Sequence, residues 1–244
     1  MAARLKQRIQ DILDRSISQG WVLEPDAKQI LTLEGITVPE FHWARDLDQA
    51  VACARAIGYP LVAKIVSPAV IHKSDIGGVA VGISSEVELK TVFGRFARQE
   101  AFAGVLLEQV VEGLELIVGG KIDTQFGPVV LLGIGGKGVE IYKDRTLRMA
   151  PIQERDVLSM VGSLKAGRLL SGFRGESPID MQALIGLMTA FSKLLLKMAD
   201  QITSVDLNPV ICSPQGCIAV DARIILKDGR YETAHPKPIT ADPH

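Results

Sequence analysis

The sequence is short of the features from which broad binding surfaces are built. Lys and Arg number 27 against 28 Asp and Glu, a formal net charge of −1 over 244 residues. A nucleic-acid-binding surface usually shows a basic excess, which this balance does not supply. Aromatic residues make up 5% of the chain, too few for the stacking platforms that hold single strands. Cysteine is as scarce. Cys53, Cys212 and Cys217 form no disulfide framework for a chain this long, and buried free thiols in a reducing compartment are expected. Cys212 and Cys217 bracket Ser213-Pro214-Gln215-Gly216, which reads as a turn between strands; a zinc half-site there lacks a second Cys or His pair. No apolar run is long enough to cross a bilayer, and the N-terminal MAARLKQRIQDILDRSI is charged and amphipathic, without a signal-peptide core. Neither a membrane nor a nucleic acid is expected as a partner, and the chain reads as cytoplasmic. Histidine is rare too, at 4 residues, of which His42 has no motif and His235 and His244 lie in the tail.

What is present is an ordinary globular mixture, 47% hydrophobic and 23% charged, enough for one large domain or two lobes. Leu5, Ile9, Ile12, Leu13 and Ile17 recur at helical spacing up to Gly20, and Glu24-Pro25-Asp26 opens a second helix closed by Gly35. A third helix runs from Leu47 to Ala56, with Asp46 to cap it and Gly58 to end it. Tyr59–Val66 and Gly78–Ile83 read as strands and Ser85–Arg98 as a helix. Short strands then follow with glycines between them: Val105–Val111, Leu114–Ile122, Val129–Leu132 and Gly138–Tyr142. A long helix over Ile179–Met198, capped by Ser177 or Asp180, precedes closing strands at Ile202–Ile211 and Gly216–Ile225. The tail from Tyr231 is Pro-rich and polar. Without regular βαβ repetition, the pattern favours an α+β pair of lobes over a doubly wound sheet.

Three stretches carry groups suited to chemistry. In KIVSPAVIHKSDIGGV, Lys64 interrupts an apolar strand, and a polar loop runs from it to paired Gly77 and Gly78. A strand lysine and close-approaching N–H groups suit a polyphosphate, whereas a lysine snorkelling from an exposed strand needs no ligand. The Walker pattern and the dinucleotide fingerprint are both missing. His72 lies in that loop; by itself it reads as a solvated histidine, the alternative being a nucleophile for phosphoryl transfer. In LLEQVVEGLELIVG, Glu108 and Glu115 stand at the end and the start of successive strands, fit either for nucleotide contacts or for guarding a sheet edge. In VDLNPV and AVDAR, Asn208 and Asp221 fall on neighbouring strands as a hairpin pair. One amide oxygen and one carboxylate suit Mg²⁺ completed by phosphate oxygens; Asn-Pro turn chemistry is the alternative. The cluster Gly133-Ile134-Gly135-Gly136-Lys137-Gly138 and the turn Gly172-Phe173-Arg174-Gly175 are weaker signals.

Together these stretches resemble the ATP-grasp β subunit of the ADP-forming acyl-CoA synthetases, a family related to succinyl-CoA synthetase. The resemblance rests on EGITVP, GYPLVAKIVSPAVIHKSDIGGV, VEGLELIVGGKIDTQFGPVVLLGIGGKGVE, GFRG, and VDLNPV with VDARI, from about Lys28 to Ile225. It implies a two-lobed ATP-grasp fold with ATP or ADP in the cleft: residues 1–24 as an N-terminal helical segment, 25–108 as the lobe with the histidine loop, 109–230 as the second lobe and 231–244 as a loose tail. It also implies site roles. Lys64, Gly77, Gly78, Glu108, Val110 and Glu115 would contact nucleotide, with Glu108 at the hinge; Asn208 and Asp221 would hold Mg²⁺; and His72 would carry the phosphoryl group. Ser204 stands where relatives often have an acidic residue. A CoA-binding α subunit, in a hetero-oligomer, is the expected partner. The alternatives are a self-contained ATP-grasp carboxylate ligase without phosphohistidine, and a non-catalytic nucleotide-binding subunit.

Overall fold

The structure, a computed structural model, describes residues 2–136, 144–172 and 177–227. Helix α1 (Ala2–Ser16) turns Ile9, Ile12 and Leu13 onto one buried stripe, and Gly20, at φ 79°, takes the left-handed conformation that ends the trailing turn. The short strand β1 (Trp21–Val22) leads into α2 (Glu24–Leu33), which begins where Pro25 and the acidic Glu24 and Asp26 suit a first turn. Strand β2 (Phe41–Ala44) precedes α3 (Leu47–Ile57), capped by Asp46, whose carboxylate accepts from the Gln49 N–H at 2.8 Å. Then come β3 (Leu61–Val66), β4 (Val79–Ile83), α4 (Glu86–Phe96) and β5 (Gly104–Gln109). These strands form an antiparallel sheet in the order β2-β5-β3-β4, with α3 and α4 packed on its core.

The remaining strands are β6 (Leu114–Asp123), β7 (Gly127–Ile134), β8 (Arg145–Met149), β9 (Ile202–Ser213), β10 (Gly216–Ala219) and β11 (Arg223–Leu226), with helices α5 (Glu154–Ser163) and α6 (Met181–Lys197) between β8 and β9. They make a larger sheet ordered β1-β11-β9-β6-β7-β8, with β10 on the C-terminal part of β9. Asp180, accepting from the Ala183 N–H, is the cap of α6, the longest helix. The α+β pair of lobes is therefore correct, but its boundary is not at residue 25. Ala27, Ile30 and Leu31 of α2 are buried in the larger core together with Ile9, Ile12 and Leu13. The pairing of β1 with β11 (Trp21↔Ile225) ties this N-terminal segment to the larger sheet, so the smaller lobe runs from β2 to β5. The expected strand at 138–142, the turn at 173–175 and the tail from 231 lie outside the described residues. Among the described residues, no helix is long and apolar enough to cross a membrane.

Two further departures bear on the site. The single closing strand expected over Gly216–Ile225 is two strands, because β10 pairs with β9 around Val210–Ser213 and β11 pairs with it around Ile202–Asp206. Asp221 sits in the break. The register running from Ala219↔Val210 to Arg223↔Asp206 sets it opposite Asn208, as the hairpin reading required. The second departure corrects the free-thiol expectation. Cys212 and Cys217 are direct cross-strand partners, 4.2 Å apart at Cα, and are joined as a disulfide, leaving Cys53 free. Among the described residues no three His, Cys, Asp or Glu are grouped to hold a metal.

Helix α6 buries Phe191, Leu194 and Leu195 against the sheet, and a Cβ on Gly120 of β6 would come 2.8 Å from Leu195 Cδ1. Phe191→Ala leaves a cavity in this close-packed layer and is expected to lower the unfolding free energy by about 3–5 kcal/mol. Each lobe holds one of the two tryptophans, Trp21 and Trp43. Urea unfolding followed by Trp21 fluorescence in a Trp43→Phe background checks the loss in the larger lobe.

Candidate active site

Charged side chains from both lobes meet in the seam between the two sheets. Lys64 lies in the middle of β3, where every residue is buried, between Val79 of β4 and Leu106 of β5. Its ammonium is 2.8 Å from Glu24 Oε1, 2.6 Å from Glu108 Oε1 and 2.7 Å from the Val220 carbonyl. Lys28, one helical turn beyond Glu24 on α2, is completely buried and pairs with Glu108 Oε2. Lys73, from the loop after β3, reaches Glu24 Oε2 at 2.8 Å and Asp221 Oδ1 at 3.3 Å. Three ammonium groups thus face three carboxylates, with Glu24 and Glu108 each shared.

The charges hold one another in place. Burial disfavours the Glu24 carboxylate, but Lys64, Lys73 and Lys28 outweigh it and hold its pKa far below the ordinary 4.5. Burial likewise opposes the charge on Lys64, and Glu24, Asp221 and Glu108 push its pKa well above the ordinary 10.5. Lys73 is shifted upward against its burial by Glu24 and Asp221.

His72 precedes a short 3₁₀ turn, Lys73–Ile76, that Gly77 ends at φ 62°. The Gly77 N–H donates to the Ser74 carbonyl at 3.2 Å and the Gly78 N–H to the Lys73 carbonyl at 2.7 Å. Both N–H groups thus close the turn. A Cβ on Gly78 would lie 2.6 Å from Ile65 Cγ2, so the close approach to β3 requires glycine. The turn projects His72 into a cavity of about 190 Å³ that Asp206, Asn208, Asp221 and Arg223 line from the larger lobe. Arg223 Nη2 is 3.2 Å from Asp206 Oδ2, while its Nη1 lies 3.3 Å from His72 Nδ1. Burial, reinforced by the neighbouring Asp221 charge, raises the Asp206 pKa despite Arg223.

Asn208 and Asp221 give this cavity hard oxygen donors, the set that Mg²⁺ uses when substrate phosphates and water complete its shell. The residues fit that ion. Glu108 is wholly engaged by Lys64 and Lys28, so its side chain supports the lysines in place of presenting an open carboxylate. Glu115 is exposed at the start of β6, apart from the ion cluster; its carbonyl accepts from the Gly135 N–H at 2.7 Å, just past the end of β7. Val110 is half-buried just past β5, on the connection between the lobes. Glu24, Lys28, Lys73, Asp206 and Arg223 were not singled out from the sequence. The Glu24–Lys28 spacing of four and the position of Lys73 beside His72 were the available signals; nothing local marked Arg223 or Asp206 as neighbours of His72.

An ATP-grasp domain model matches residues 15–226. The chain is 42% identical over 229 residues to the acetate–CoA ligase [ADP-forming] I subunit beta of Pyrococcus furiosus, covering 90% of this chain and 98% of that one. Among solved structures, acetyl-coenzyme A synthetase 1 of Ca. Korarchaeum cryptofilum in complex with coenzyme A and Ca-AMPCP superposes with a TM-score of 0.84 at 39% identity, covering 89% of this chain and 99% of that one. Another structure of that enzyme, with coenzyme A and Mg-AMPPCP and its phosphohistidine segment pointing towards the nucleotide binding site, gives 0.79 at 39% identity over 90% and 100% of the two chains. The two-lobed fold and the matched span define an ATP-grasp protein. Within that class the chain belongs to the β-subunit family of the ADP-forming acetate–CoA ligases.

Breaking the buried lattice on one side strands a charge, so Lys28→Met is expected to cost about 3–5 kcal/mol in denaturant unfolding. The pH dependence has a definite sign. Because the Glu24 pKa is depressed in the folded chain, its contribution is present above pH 4.5 and is lost as pH falls through the folded value. Because that of Lys64 is raised, its contribution is present in full below pH 10.5 and is lost as pH rises through the higher folded value. Urea midpoints for wild type and Glu24→Gln should differ most at neutral pH and converge as the buffer is taken below pH 4.5.

Proposed function

We propose that the chain is the nucleotide-binding subunit of an ADP-forming acyl-CoA synthetase, working in the reaction acid + CoA + ATP ⇌ acyl-CoA + ADP + phosphate. His72 relays the phosphoryl group between a CoA-binding partner subunit and the nucleotide. The observation that carries this reading is the meeting of His72, from the smaller lobe, with Asn208 and Asp221, from the larger one, in a single cavity. The relatives support it: a ligase subunit beta implies a companion subunit, and the solved enzyme bears a phosphohistidine segment.

In the acyl-CoA-consuming direction, the partner makes an acyl phosphate and hands phosphate to its own histidine, from which His72 receives it. The loop then returns to the cavity, where Lys73 docks it on Glu24 and Asp221. Asn208 and Asp221 would hold Mg²⁺, which would supply neutralisation of the phosphate charge. Positioning and electrostatics dominate such a transfer, and His72 is aligned in a cavity that the two lobes enclose. The loop must travel between subunits. Its weak attachment fits that task, since Ser74, Asp75, Ile76 and Gly77 are all exposed.

The test uses γ-labelled ATP with Mg²⁺, with and without a CoA-binding partner subunit. An acid-labile, base-stable label should appear on the wild type and be absent from His72→Asn. Label retained by His72→Asn removes the proposed nucleophile. Nucleotide binding with no label, even with the partner present, replaces the relay by a non-catalytic binding role.

A further inference from the structure

The cations nearest the phosphate-type loop are heavily engaged elsewhere. Lys64 is 4% exposed and is bound by Glu24, Glu108 and the Val220 carbonyl, and Lys73 is turned to Glu24 and Asp221. Arg223 is placed differently. It opens β11 directly across from Asp206 of β9, and that carboxylate holds its Nη2 at 3.2 Å. The other arm of the guanidinium then lies against the imidazole, with Nη1 3.3 Å from Nδ1 and 3.4 Å from Nε2 of His72.

We propose that Arg223 is a second catalytic residue of the phosphoryl relay, the cation that meets the transferring group at His72. The inference rests on the reading of His72 as the nucleophile. Nη1 stands about equally close to both ring nitrogens. A guanidinium has donors and no acceptor, so it can donate only to the unprotonated nitrogen, whose lone pair attacks phosphorus once Nη1 turns from it to the incoming phosphoryl oxygens. In the ATP-consuming direction that lone pair forms the N–P bond. The P–O bond to the β-phosphate breaks, its electrons leave on ADP, and the proton on the other ring nitrogen stays with the ring. The phosphoryl oxygens arrive where Nη1 stands, and Arg223 donates to them in the transition state and in phosphohistidine. Asp206 fixes the direction of the fork. A lysine has one ammonium and no such fork, and cannot keep Asp206 and the ring on separate donors.

The test is single-turnover labelling of the full chain with γ-labelled ATP at saturating Mg²⁺, paired with equilibrium ATP binding. Arg223→Gln is expected to slow labelling by about 10²–10³-fold, the effect of deleting one transition-state donor, with ATP affinity changed less than about 3-fold. Arg223→Lys keeps a cation on the strand as a guard against a folding defect, and is expected to bind ATP normally yet remain slow. Labelling of Arg223→Gln at the wild-type rate overturns the inference while leaving the His72 relay standing. So does a rate restored by more ATP, which makes Arg223 a nucleotide-affinity residue, or full recovery in Arg223→Lys, which removes the role of the fork. A wild type that takes no label defeats the His72 reading itself.

Discussion

Glu24 is the carboxylate on which the seam between the lobes depends. It sits at the first turn of α2 on the larger lobe, and both its oxygens are claimed by lysines of the smaller one: Oε1 by Lys64 in β3 and Oε2 by Lys73 in the histidine loop. Lys28, one turn along the same helix, crosses the other way to Glu108 on β5. Buried ion pairs of this kind are poor sources of net stability, because desolvation offsets most of their attraction. Their geometry is nevertheless restrictive. Each charge is tolerated only while its partners stay in place, so the lattice admits few ways of setting one lobe on the other.

That restriction has a functional consequence. The loop from Ser67 to Gly78 has little apolar anchorage, and Ile76 at its tip is 43% exposed. It is positioned by Lys73 on the lattice, by the turn that Gly77 and Gly78 close, and by Arg223 beside the ring of His72. Polar contacts suit the loop travel proposed for His72, since they can be exchanged for water or for another group's charges. A loop fixed by buried leucines would lose that exchange. The same logic separates the lysines from Arg223: the lysines join the lobes, and Arg223 faces the ring of His72.

Much of the fold was legible because local rules and tertiary packing agree there. Caps at Asp46 and Asp180, the glycine stops after α1 and α2, and the apolar periodicity of α1 and α6 all mark real boundaries. Strands β1, β2 and β8 and helix α5 escaped notice. The first two are very short, and β8 is an edge strand with an exposed apolar side at Leu147 and Met149. Helix α5 buries only Val157 and Met160, too little apolar periodicity to mark it. The lobe boundary was misplaced because Glu24-Pro25 reads as a start signal, and nothing local says which core the new helix will cover. In the site, His72 read as a solvated loop histidine until the family resemblance gave it a role, whereas the lysine and the Asn/Asp pair stood out as unusual residues in their segments. Their partners did not, for a pairing such as Lys28–Glu108 or His72–Arg223 exists only once distant strands are brought together.

The central claim is that this arrangement makes His72 the phosphoryl carrier of the subunit. Mass spectrometry of the intact chain and its peptides, prepared at alkaline pH after incubation with ATP and Mg²⁺, tests it most directly. The account predicts one phosphate per chain, located on His72. A phosphate found on another residue, or a chain that binds ATP and carries none, would contradict it.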